Sequence, residues 1–82
     1  HMLVDIYQSA SHSSKYLTVP NGFDVNKLNI EEIDKDYKVV KTFKTNIDLV
    51  TNSKLIAATD EILNQINKNG YAIHGATVLA SE

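Results

Sequence analysis

Apolar positions near the carboxyl end of the chain fall at three- and four-residue steps. Leu55, Ala58, Ile62 and Ile66 make one stripe, widened by Ile56 and Leu63, while Asp60, Glu61, Asn64, Gln65 and Lys68 fall toward water. The spacing predicts an amphipathic helix over 53–69. Ser53 or Asn52 is placed to cap its amino end, and Gly70 can take the left-handed backbone that stops it. No linker follows the glycine, so Tyr71-Ala72-Ile73-His74 reads as a strand turning back under the helix. Tyr71 and Ile73 share one face of it, the face expected to meet the helix stripe.

Elsewhere the period shortens to two. Val4 and Ile6 alternate with Asp5 and Tyr7 in a strand over 3–7, and 16–19 resume as a strand with Leu17 and Val19 inward. Between them, 8–14 are rich in hydroxyls that compete for backbone bonds, which predicts an exposed hairpin loop. Pro20-Asn21-Gly22 reads as a turn. In 23–36 the signal is faint: Val25, Leu28 and Ile33 suit the inner side of a short helix capped by Asp24, with Glu31, Glu32, Asp34 and Asp36 in water. Residues 37–44 have strand composition, with Tyr37, Val39 and Phe43 on one face, and 47–50 lead into the main helix. The order is ββ(α)βαβ. It predicts a two-layer α+β fold: a mostly antiparallel sheet of about four strands packed against one main helix, with a second short helix and the other sheet face partly open.

Eighty-two residues suit one domain, taken here as 3–80, with His1-Met2 read as a cloning remnant and an initiator methionine. At this length the core must be single and compact. The chain has no cysteine, which excludes disulfides and thiolate metal sites, and it has no apolar run long enough to span a bilayer. A cytoplasmic protein without membrane partners is expected. The net charge is -2 and all eight basic residues are lysines. Without arginine or a basic face, nucleic acid is not an expected partner.

Candidate chemistry is thin. Ser9, Ser11, His12, Ser13 and Ser14 bring hydroxyls beside an imidazole, but a hairpin loop supplies neither a third group to hold the base nor an oxyanion site. Glu31, Glu32, Asp34 and Asp36 lack the glycine and the offsets of a calcium loop. His12 and His74 have no second ligand nearby in sequence. Lys35, Lys38, Lys41 and Lys44 recur every third residue, a spacing that a strand splits over two faces. No catalytic, metal or cofactor-binding residue is assigned, and no cofactor is expected. The four tyrosines offer large contact area at small entropic cost, so Tyr7, Tyr16, Tyr37 and Tyr71, with His74, are the candidate interface.

Three quoted segments also carry a resemblance. Val4-Asp5-Ile6-Tyr7, then Tyr16-Leu17-Thr18-Val19-Pro20-Asn21-Gly22, then Gly70-Tyr71-Ala72-Ile73 resemble a family of small uncharacterised bacterial proteins with a VDIY, YLxVPxG and GYAI pattern. A weaker similarity is to the YcgL family, which opens on an IYxS strand followed by YLxV. Both imply a small mixed fold of bacterial origin and neither brings catalytic residues. The middle of the chain, 23–51, departs from both patterns. The resulting expectation is a non-enzymatic protein-binding or regulatory module, acting on another protein or on itself as a homodimer. The alternative is a small-ligand or catalytic protein with a shallow pocket around Tyr7, Tyr16 and His74.

Overall fold

The protein is described by a computed structural model over residues 2–49 and 56–75. Strands β1 (Leu3–Ser9) and β2 (Lys15–Pro20) form the expected hairpin. Three single 3-10 turns follow, at Val25–Lys27, Ile30–Glu32 and Lys35–Tyr37, then β3 (Val40–Asp48), helix α1 (Ile56–Asn69) and β4 (Ala72–Gly75). The sheet runs β3-β1-β2-β4 with every pair antiparallel. The architecture is α+β: one open sheet, one helix and short turns. Among the described residues no helix is long and apolar enough to cross a membrane.

Local codes explain the punctuation. Phe23 N–H donates to the Pro20 carbonyl at 3.0 Å across the Pro-Asn-Gly turn, and Gly22 takes φ +83°, a backbone angle open to glycine. Gly70 has φ +87° and its N–H donates to the Ile66 carbonyl at 2.8 Å, closing the helix. The caps foreseen at Asn52 or Ser53 lie outside the described residues, as do Leu55 and the side chains of Ile56 and Ala58.

The hairpin buries both of its faces. Val4 and Ile6 of β1, Tyr16 of β2 and Ala72 of β4 pack with Ile62, Ile66 and Leu49, and Leu63 borders this cluster. On the opposite face Leu17 and Val19 pack with Ile30 and Tyr37 from the turns, bordered by Phe23, Val25 and Leu28. Tyr71 and Ile73 belong to this second cluster, not to the helix side as the alternation suggested. The small Ala72, fully buried opposite Thr18, lets the helix approach β4 closely, and the bulkier neighbours turn away.

The third strand also corrects the reading. It begins at Val40 and runs to Asp48, because Ile47 pairs with Val4 and Leu49 N–H donates to the Met2 carbonyl at 3.2 Å. Tyr37 instead sits in a 3-10 turn whose cap, Asp34, accepts from Asp36 N–H. Tyr37, Val39 and Phe43 therefore share no face: Tyr37 is buried beneath the turns, Val39 is exposed, and Phe43 meets Tyr16 edge-on at 5.1 Å on the helix side. Register shifts flank Ile6 on the β1–β3 ladder. At one of them Asn46, at φ 57°, donates its N–H to Asp5, so a carboxylate occupies the place of a ladder partner.

Candidate functional site

The face opposite the helix is covered by turns rather than by a continuous element. Asp24 caps the first, its Oδ1 accepting from Asn26 N–H at 2.9 Å, and Asp34 caps the third, its Oδ1 accepting from Asp36 N–H at 2.9 Å. Each turn is only three residues long, too short to present a helical stripe. What remains is a groove of about 500 Å³. Its floor is Tyr7, Leu17 and Val40 from the sheet. Its walls are Phe23, Val25, Leu28, Ile30 and Tyr37, and its rim carries Asp24, Asn26, Glu31, Lys38 and Val39.

The wall is tied down at one end. The Tyr37 hydroxyl donates to the Tyr16 carbonyl at 3.1 Å, and burial, with the neighbouring Asp34 charge, pushes the phenol up to about 12. Lys15 Nζ bridges Asp34 Oδ2 at 2.7 Å and Asp36 Oδ2 at 2.8 Å. The two carboxylates hold the Lys15 ammonium well above its ordinary range, and the ammonium holds both of them below theirs. Ser11 Oγ donates to Asp36 Oδ1 at 3.0 Å, while the buried Ser9 hydroxyl donates to the Asp36 carbonyl and accepts from Ser11 and His12 N–H. Lys15 is a locked cation rather than a base. Ser14 and His12 do meet, at 2.8 Å, but on an exposed loop, and both Asp36 oxygens are taken by Ser11 and Lys15. Among the described residues no group of three or more metal-ligating side chains comes together.

His74 sits on the helix side. Its ring stacks on Tyr16 at 5.9 Å and 9°, Nε2 is hydrogen-bonded to the Thr18 hydroxyl, and burial pushes the imidazole down to about 4. The candidate residues thus divide. Tyr7 and Tyr37 come together in the groove, and Tyr71 belongs to the same apolar cluster. Tyr16 and His74 lie on the opposite face, so Tyr7, Tyr16 and His74 do not surround one pocket. Phe23, Leu28 and Ile30 were not foreseen as site residues. Their signal was the apolar spacing 23, 25, 28, 30, which fits neither a helix nor a strand and marks an irregular wall. No protein-family model matches the chain, and comparison with curated proteins and with solved structures finds no similar chain.

Proposed function

We propose that this chain is a non-enzymatic protein-binding module, a cytoplasmic regulator that docks an apolar segment of a partner protein in the groove. The observation that carries this reading is the lining: aromatic and aliphatic side chains on floor and walls, beneath a polar rim that supplies the larger share of the groove's open surface. The Ser9, Ser11 and Ser14 hydroxyls and Lys15 are engaged in structural bonds, and His74 is buried with its Nε2 bonded to Thr18, which weighs against a reaction. The edges of the sheet are poor docking sites, since β3 is irregular along its ladder and β4 is met by the helix. Asp24 and Glu31 on the rim favour a segment carrying lysine or arginine beside its apolar residues. A small-molecule ligand is the second reading, because the groove volume of about 500 Å³ falls in the range of about 300–1,000 Å³ typical of such sites.

Selection of a random displayed-peptide library on the pure protein, followed by amide NMR with the winning peptide, tests the first reading. The expected peptides are apolar with basic flanks, and their shifts map to Tyr7 and 23–40. Val39→Asp, on the exposed rim, should weaken binding about tenfold or more while leaving stability within about 0.5 kcal/mol. Shifts confined to the helix side, or no selected peptide alongside a small molecule that fills the groove, would overturn it.

A further inference from the structure

The chain contains two Asn-Gly pairs, Asn21-Gly22 and Asn69-Gly70. In such a pair the glycine nitrogen, once deprotonated, can attack the asparagine side-chain carbonyl carbon. A new C–N bond closes a five-membered succinimide, the side-chain nitrogen leaves as ammonia, and water then opens the ring to aspartate or isoaspartate. Glycine allows the approach because it has no Cβ in the way. Two things hinder it: a glycine N–H held by an acceptor, and a carboxamide fixed so that it cannot rotate onto the backbone.

The two pairs are held very differently. Gly22 N–H donates to Asp5 Oδ2 at 2.9 Å. Asn21 Nδ2 donates to Asp5 Oδ1 and to Asn46 Oδ1, both at 2.7 Å, and Asn21 N–H donates to the Leu3 carbonyl. One buried carboxylate, 6 % exposed, therefore grips both the attacking nitrogen and the amide that would leave, and its negative charge opposes loss of the glycine proton. At the other pair Gly70 N–H is held by a neutral carbonyl, that of Ile66. The exposed Asn69 side chain has no hydrogen bond among the described residues.

We propose that Asp5 guards the Asn21-Gly22 turn against succinimide formation, leaving Asn69-Gly70 as the one of the two Asn-Gly pairs that deamidates spontaneously. The guard is independent of what occupies the groove. It also gives a reason for burying an aspartate in β1 beyond ordering the turn.

The test is peptide mapping by mass spectrometry over time in mildly alkaline buffer, with isoaspartate identified in each fragment. In the wild-type protein Asn69 should convert well before Asn21. In Asp5→Asn, confirmed folded by circular dichroism, Asn21 conversion should rise about tenfold or more, the factor set by losing a hydrogen bond to a charged group. Asn46→Gly, which removes an acceptor but spares the Asp5–Gly22 bond and tolerates the positive φ, should leave Asn21 slow. If the Asp5 variant does not fold, wild-type hydrogen exchange decides: strong protection of the Gly22 amide supports the guard. Exchange of that amide at the rate of an open chain, conversion of Asn21 ahead of Asn69, or an unchanged Asn21 rate in folded Asp5→Asn would each overturn the proposal.

Discussion

The two faces of the sheet are covered by opposite strategies. On one side a single helix lays Ile62 and Ile66 over Val4, Ile6 and Ala72, and these residues are sealed from water. A helix meets its own backbone hydrogen bonds, so its apolar stripe is free to pack along its length. On the other side three short turns do the covering, and two of them lean on capping side chains. Asp24 and Asp34 cap two of them, and Lys15 fastens Asp34 and Asp36 to the end of the hairpin. Phe23, Val25 and Leu28 stay half-buried there, and the groove opens between them. A cover built in pieces leaves a groove open, which is why the candidate site falls on this face.

The largest break in that comparison should come from truncating its better-packed side. Ile62 is 1 % exposed at the centre of the helix-side cluster, so Ile62→Ala should cost about 2–5 kcal/mol through lost contacts and a residual cavity. Leu28→Ala, on the half-buried groove wall, should cost about 1 kcal/mol, the share of a leucine only partly removed from water. Urea titration of both variants checks the ratio. Equal losses would mean that the turns pack as tightly as the helix and that the groove is no weak point.

His74 offers a comparison by pH instead of volume. Burial lowers its pKa from 6.5 to about 4, so between those values the unfolded chain takes up a proton that the folded chain refuses. Its contribution is complete above the unfolded value and is lost as pH falls toward the folded one. The difference corresponds to roughly 3 kcal/mol. His74→Gln, which keeps a polar partner for Thr18, should flatten this slope, as urea midpoints measured across the window would report. Asp5 acts lower on the scale. Burial would raise its carboxyl, but bonds from Gly22, Asn21 and Asn46 outweigh that and hold it below its ordinary value of 3.8. Its stabilisation is therefore lost only as pH falls below that value. A wild-type curve already flat from 6.5 down to about 4 would mean that the imidazole is hydrated.

These contrasts also mark what the sequence could tell. The hairpin strands, the Pro20-Asn21-Gly22 turn, the Asp24 cap and the Gly70 stop are local codes, each decided by a few neighbouring residues, and they were legible. Face assignment was not. Alternation puts Val4 and Ile6 on one side of their strand and Leu17 and Val19 on one side of theirs, but only the pairing of Ile6 with Thr18 sets the two pairs on opposite faces, and only that of Thr18 with Ala72 decides which side the helix takes. That choice sent Tyr71 and Ile73 away from the helix. The span of β3 was hidden for a related reason, since its ends follow from pairing with Leu3 and Ser9 across two register shifts. Within the candidate site, Tyr7 and Tyr37 were visible as tyrosines, but their meeting depends on an irregular wall that no single period encodes.

The most local predicted effect concerns a residue whose sequence position pointed to water. Gln65 donates Nε2–H to the Ile73 carbonyl at 3.3 Å and accepts from Ile73 N–H at 3.0 Å. Its side chain behaves like one residue of a fifth strand, and satisfies the outward backbone groups of β4 as a neighbouring strand would. The helix thus guards an edge of the sheet as well as a face. On the β3 side, edge protection rests on the register shifts and on lysines such as Lys41. Gln65→Leu should therefore cost about 1 kcal/mol, the net worth of such bonds, and speed exchange of the Ile73 amide while the Val4 and Ile6 amides stay slow. The bared edge should also raise self-association in a concentration series followed by light scattering. Unchanged exchange at Ile73 would mean that the amide contact does not hold the edge in solution, and the two strategies of cover would then differ only across the faces.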